Sequence, residues 1–490
     1  MFSEWLWKRV TISVVKRSNV FQPHRPAVDD DAAHPVPVER RWPGLAGTPL
    51  LLADAVPRSE RISGAQEFVL QTVLRLKEWF GLGASYPESF RSEKSPYYPE
   101  YVELHPASPL PEDFQPGKDR IAGVAWRGPF SLVTKKVGDA YEIDLSHVEG
   151  LKPRPGFLTV GGVAHLSRTA SGLKTEWVQL DGKKHSPADA DWALVERRFL
   201  AGLNSHTTFI EHLIFCHMSV AEHLALASIE ALPSRHPLRA FLQPFTIETL
   251  RVNDDNIDGL IKTEHSNVPS YTGIPLSTLH AVIKAISSGF DLRKMDPVWR
   301  STDQGTADFP TVKARIELFQ LFRTLCDRYC KEVLKEVDAP TRAWCALLDK
   351  YIPNGVAKVA GITDWEKLTL EQVAHVLAVC TYTVSVTHHV VADTVRDYMM
   401  SFTIMPPSIA EDGYSTKGMV LEKMNSITVA GILRYRLMDD SSVVPEGAGR
   451  AIWAEFQSGL KAIQARVDAS PADQRRYQVH PNKIPSSIHA

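Results

Sequence analysis

The feature that most constrains this chain is a helical pattern running from about residue 190 to 230. It contains, at 206–223, the segment HTTFIEHLIFCHMSVAEH. Four of the 18 histidines, His206, His212, His217 and His223, fall inside this single apolar run. Further helical patterns cover 273–289, 310–336, 340–351, 368–400 and 445–467, separated by short Pro/Asn/Gly loops. Between about 95 and 180 the texture changes to prolines, glycines and short alternating runs such as YEIDLSHV and GFLTVGGVAHLS. That pattern predicts a small sheet or ribbon lying over the helices. The expected fold class is mainly α: one large helical domain with a small β element near residues 95–180. Residues 22–60 are rich in Pro, Asp and Arg, so residues 1–60 are expected to be an irregular arm before a body at 61–490. SERISGAQEFVLQTVLRLKEWF, from Ser59, has a serine cap and apolar spacings of three and four, the signature of an amphipathic helix.

Composition narrows the function classes. A chain of 490 residues with 44% hydrophobic content can bury a substantial core. Its net charge of −2 and the lack of a long Lys/Arg block imply neither a nucleic-acid partner nor attraction to an anionic membrane. Cys216, Cys326, Cys330, Cys345 and Cys380 are odd in number and form no paired CxxC pattern, which fits a reduced, cytoplasmic setting. The start, MFSEWLWKRVTISVVKRSNVF, is interrupted by charge and lacks a cleavage site, which argues against a signal peptide or a span. Phe2, Trp5 and Trp7 offer at most a weak membrane-surface contact.

A histidine on a helix is more often a surface or core residue than a ligand. Each residue of a regular α-helix advances about 100°, so histidines five or six apart lie off one face and need a π-bulge to share a metal. Such a spacing is informative only if a second cluster supplies further ligands. LTLEQVAHVLAVCTYTVSVTHHVVADTVRDYM provides one, with His389 and Asp393 at i, i+4 on one helical face. The helix around them is strongly apolar, so an ionised Asp393 needs a partner: a cation, or alternatively Arg396 or a backbone donor at the helix edge.

With these residues in hand the chain resembles the catalytic domain of the lipoxygenases, non-haem iron dioxygenases. YEIDLSHVEGLKPRPGFLTVGGVAHLSRTASGLKTEWVQL is similar to the family's YxVDL segment and following hairpin, and DWALVERRFLAGLNSH to the stretch leading to its first histidine. HLIFCHM resembles HLLxxHL, and LPSRHPLRAFLQPFTIETLRVN resembles HPxxxLLxPHxRxTxxIN. TYTVSVTHHVVAD is similar to TCSGQHAAVN, STKG to TTKG, and the terminal IPSSIHA to IPNSISI. The similarity spans roughly residues 125–490 in order. It implies a metal set of His206, His212, His389, Asp393 and the main-chain carboxylate of Ala490, with His217 and His223 as packing residues. Asn256 and Ile257 stand where the family's INxxARxxLI lines the substrate pocket.

The chemistry implied is iron-dependent, with Mn able to substitute at such a ligand set. A hydrogen atom leaves a doubly allylic CH₂ of a 1,4-diene, O₂ adds to the pentadienyl radical, and the product is a hydroperoxide of a polyunsaturated fatty acid or related lipid. Three departures bear on this. His206 and His212 are six apart where the family has five, and the pair His212/His217 keeps five but breaks the match on either side. Asp393 replaces an asparagine, and Asn256 puts a polar side chain where the family has Ala or Gly. They keep two alternatives in view: an iron oxygenase on this scaffold acting on a non-fatty-acid substrate, and a catalytically silent member. The Pro-rich first 120 residues do not read as the β-sandwich that precedes the catalytic domain in plant and animal members, so a minimal form is expected.

Overall fold

A computed structural model describes residues 117–394 except 265 and 354, and 405–488 except 407, 412–435, 439–446, 448 and 476–477. It also describes 38–39, 50 and 52–53. The Ser59 helix, nearly all of the expected arm, and Ser415–Gly418 lie outside the described residues.

Five antiparallel strands form a meander in which each strand pairs with the next in sequence: β1 (Thr134–Val137), β2 (Ala140–Leu145), β3 (Gly162–Thr169), β4 (Gly172–Leu180) and β5 (Lys183–His185). This meander runs from 134 to 185, against the expected 95–180, of which residues 95–116 lie outside the described residues; a separate antiparallel pair, Val38–Glu39 with Leu52–Ala53, falls within the expected arm. One face of this sheet is apolar, and Ile143, Ala164, Leu166, Val178 and Leu180 are fully buried there beside Phe130, Phe199, Leu203 and Phe309. Helix α1 (Arg120–Arg127) is fastened to β4 by its own cap. Asp119 accepts from Ala122 N at 3.1 Å, and also from the amide and hydroxyl of Thr175 at 2.7 and 2.6 Å.

The sheet fixes the start of the central helix α2 (Trp192–Ala231). Arg198 donates from Nε to Thr159 O at 2.7 Å, and the Gly161 amide donates to Arg198 O at 3.2 Å. The crossing needs glycine on both sides: Gly161 has φ +109°, and a Cβ on Gly202 would lie 2.3 Å from Gly161 Cα. By length and composition α2 could cross a membrane, but 94% of its apolar window is buried inside the protein. It is the core helix that the 190–230 pattern foretold.

Around α2 pack α3 (Thr249–Ile261), α4 (Pro310–Tyr329), α5 (Leu370–Tyr382) and α6 (Gly449–Ala469), with shorter helices between. The ranges of α4, α5 and α6 fall within or close to the expected patterns, whereas α3 lies where none was expected. Phe241, Phe245, Phe322, Tyr382, Trp453 and Phe456 interlock at the centre of the larger core, with neighbouring ring centroids 5.0–6.3 Å apart. Each such ring stabilises the fold by about 1.5–3 kcal/mol through burial.

Both helices that carry the histidine motifs depart from α geometry where the histidines lie. In α2 the stretch His206–Ala221 is π-helical. Beyond α5, Thr383–Thr387 and Val390–Thr394 are π turns that flank His388 and His389. Hydroxyls feed the second departure: Thr381, Thr383 and Ser385 donate to the carbonyls of Leu377, Val379 and Thr381 at 2.7, 2.7 and 2.5 Å. These bonds compete with the backbone donors that would otherwise close the α-helical ladder.

Candidate metal centre

An i→i+5 hydrogen-bond pattern widens each turn, so residues five apart approach a common face. In α2 that register brings His212 and His217 together, with ring centroids 4.6 Å apart. The π segments of the two helices pack on each other, and His388 enters from the second. The three Nε2 atoms form a near-equilateral triangle: His212–His388 2.9 Å, His212–His217 3.0 Å, His217–His388 3.0 Å. His388 is fully buried and His217 is 3% exposed. Burial lowers the His217 pKa to about 4, against the opposing effect of its bond to Asn253, so this ring is neutral at neutral pH.

Three neutral imidazoles cannot satisfy this triangle by themselves. Each Nε2 presents either one N–H or one lone pair, and a hydrogen bond needs one of each. Around an odd ring the two kinds cannot alternate, so at least one edge sets like against like. A cation among three lone pairs removes the conflict. The triangle's centre lies roughly 1.7 Å from each nitrogen, inside the about 2.0–2.1 Å of a typical metal–imidazole bond. The donor set therefore fits a first-row transition metal of the kind imidazole favours.

The trio that the structure brings together differs from the expected ligand set. His206, at the head of the π segment, is six residues before His212 and out of the five-residue register. Its Nδ1 meets Nε2 of solvent-exposed His147 at 2.8 Å, and its Nε2 lies 3.7 Å from Glu211. Arg300 grips Glu211 through both terminal nitrogens at 3.0 and 2.6 Å. Burial opposes ionisation of Glu211, but the Arg300 guanidinium outweighs it and holds the carboxyl well below its usual range. His206 thus belongs to a charge-paired network.

His389 is displaced as well: consecutive helical residues diverge by about 100°, so only one ring of the pair can face His212, and it is His388. His389 is buried on the other side, near His480, which burial, Lys483 and, more weakly, His389 hold down to about 4. His217, expected as a packing residue, is the second member of the trio. His223 does pack as expected, with Nδ1 donating to Ser219 O at 2.8 Å and its ring against Tyr351.

The backbone of Asp393 lies in the π turn Val390–Thr394, five residues beyond His388, and its side chain is outside the described residues. Four residues beyond His388 stands Ala392, which offers no donor atom. Asn256 and Ile257 lie on α3 with their side chains outside the described residues, as is Ala490. The approach to Ala490 is internal: Ile484 and Ile488 are fully buried, and Ser487 Oγ donates to Ile247 O at 3.2 Å. The signals for this trio were present in HLIFCH, where two histidines are spaced by five, and in the doubled histidine of VTHHVV.

No protein-family model matches the chain, and no curated protein matches it by sequence. Solved structures do. An anaerobic crystal structure of a deletion variant of a LOX in complex with arachidonate superposes with TM-score 0.71 over 98% of this chain and 81% of that one, at 13% identity. The fold is a lipoxygenase fold. The coral 8R-lipoxygenase, whose crystal structure is described with calcium activation through a C2-like domain, gives TM-score 0.67 at 13% identity and covers 97% of this chain and 80% of that one. A calcium-dependent 11R-lipoxygenase gives 0.65 at 16% identity, covering 98% and 80%. At these identities the likeness to lipoxygenases is one of architecture.

Proposed function

We propose that this chain is a non-haem iron dioxygenase that inserts O₂ into a 1,4-diene of a polyunsaturated fatty acid or related lipid, yielding a hydroperoxide. The observation that carries the reading is the triangle of half-buried His212 with buried His217 and His388, formed where two π-helical segments pack together within a lipoxygenase fold. Iron, or Mn in its place, would supply the one-electron step that removes a hydrogen atom from the doubly allylic carbon. The three imidazoles would hold the metal, and Asp393 is a candidate for an added oxygen ligand. Phe209, Ile210, Leu213, Val384, Val386 and Val390, on the two segments that carry the trio, are buried apolar side chains. Such a lining keeps bulk water from a radical intermediate and suits a lipid tail. Arachidonate bound to the LOX variant is support of the same kind for the substrate class.

A second reading, an oxygenase on the same scaffold with a non-fatty-acid substrate, is favoured by one departure. The family places an asparagine four residues after its third histidine, and here that place is Ala392. Two measurements separate the readings. Iron content of freshly purified protein near one per chain supports both, and trace iron supports a silent member. Growth of conjugated-diene absorbance on adding linoleate or arachidonate supports the first; iron-loaded protein that leaves both lipids unchanged supports the second.

A further inference from the structure

Asn253, on α3, is 1% exposed and makes three hydrogen bonds around His217. One of its side-chain atoms lies 2.8 Å from His217 Nδ1; the other lies 3.2 Å from the His217 carbonyl and 2.7 Å from a carboxylate oxygen of Glu222. The last two partners are both acceptors, so the atom facing them is the amide NH₂, and flipping the amide would turn oxygen against oxygen twice. The amide oxygen therefore faces His217 Nδ1, and that nitrogen must carry the proton. It follows that His217 Nε2 presents a lone pair to His212 and His388. The order of dependence is Glu222, then Asn253, then the tautomer of His217.

We propose that Asn253 is a positioning residue that, held in orientation by the buried Glu222 carboxylate, locks His217 in the Nδ1–H tautomer and keeps its Nε2 lone pair aimed at the metal position. This rests on the metal reading of the trio and adds the group that prepares one ligand before metal arrives. The geometry accounts for the shape of α2 as well. The His217 carbonyl accepts both from the Glu222 amide, five residues on, and from the Asn253 side chain, so the widened turn and the ring orientation share one partner.

The experiment uses the full chain with histidine ¹⁵N labels, freed of metal by chelation, and reads the His217 tautomer from its nitrogen shifts. Competition titration with Co²⁺ then measures affinity. Asn253→Leu removes both the acceptor and the donors. We expect Nδ1–H in the wild type and a mixture of tautomers in Asn253→Leu. The Co²⁺ affinity of Asn253→Leu should fall about 10–100-fold, as for other partners of ligating histidines. A wild-type His217 protonated on Nε2 would overturn the proposal, and that result needs no variant to fold. So would an Asn253→Leu protein with undiminished affinity. If the wild type binds no Co²⁺ while Nδ1–H is observed, the metal reading fails and the tautomer lock stands.

Discussion

Two histidine groups share the first half of one π-helical segment, and they differ in what faces each ring nitrogen. At His206 one nitrogen meets the His147 ring at 2.8 Å, and the other lies 3.7 Å from the Glu211 carboxylate, itself neutralised by Arg300, too far for a hydrogen bond. At His212, six residues along, Nε2 faces two other Nε2 atoms in an arrangement that no assignment of protons satisfies. The first group is an ion-paired cluster at the solvent edge in which His206 Nε2 makes no hydrogen bond, whereas the second becomes self-consistent when a cation sits among three lone pairs. A count of histidines along the helix cannot separate the two cases. The partner of each nitrogen can.

The comparison breaks most visibly at the metal. His217→Ala should lose nearly all bound iron and with it at least about 100-fold in activity, while His206→Ala keeps its iron; elemental analysis of both purified proteins decides this. Arg300→Met is the next largest effect, because it strands the buried Glu211 carboxylate. We expect a loss of about 3–5 kcal/mol in denaturant unfolding with metal still bound in the folded protein, and an unchanged midpoint would mean that Glu211 finds another counter-charge.

A smaller effect comes from His223, which belongs to neither group. Burial, partly offset by its bond to Ser219 O, lowers its pKa from 6.5 to about 4. The unfolded chain takes up this proton near pH 6.5 and the folded chain only near pH 4, so between these values the unfolded state binds more protons. Stability is therefore full above pH 6.5 and falls as the pH drops towards 4, by on the order of 3 kcal/mol for this ring. His223→Leu should have a flatter stability–pH curve over that window than the wild type, and parallel curves would contradict the assignment. Least affected should be His147→Ala, which removes one hydrogen bond at the solvent edge of the His206 network. A cost of about 1 kcal/mol or less is expected, with iron content unchanged.

The helical body was legible because long apolar periodicities leave little choice: the 190–230 and 310–336 patterns, and the described part of 368–400, became core helices. The β meander was legible in kind, from alternation such as YEIDL, with its described limits shifted to 134 and 185. Ligand identity was less legible because it turns on local helix pitch. Choosing His389 assumed an i, i+4 relation with Asp393 in a regular α-helix, whereas π turns on both sides of His388 change which ring of VTHHVV faces inward. Choosing His206 weighted similarity of the flanking residues over spacing, although five was the interval that a π-helix brings into register. Asn253 carried no local signal, since its role depends on a contact 36 residues away in sequence.

The central claim is that a metal sits among His212, His217 and His388, and the neighbouring pair His388 and His389 tests it most directly. The two rings are adjacent in sequence and both are buried, so a general loss of packing would strike them alike. The measurement is iron per chain in His388→Ala and His389→Ala, purified in parallel with the wild type and checked for the same thermal unfolding midpoint. The predicted result is about one iron in the wild type and in His389→Ala, and almost none in His388→Ala. Iron retained by His388→Ala and lost from His389→Ala would contradict the account.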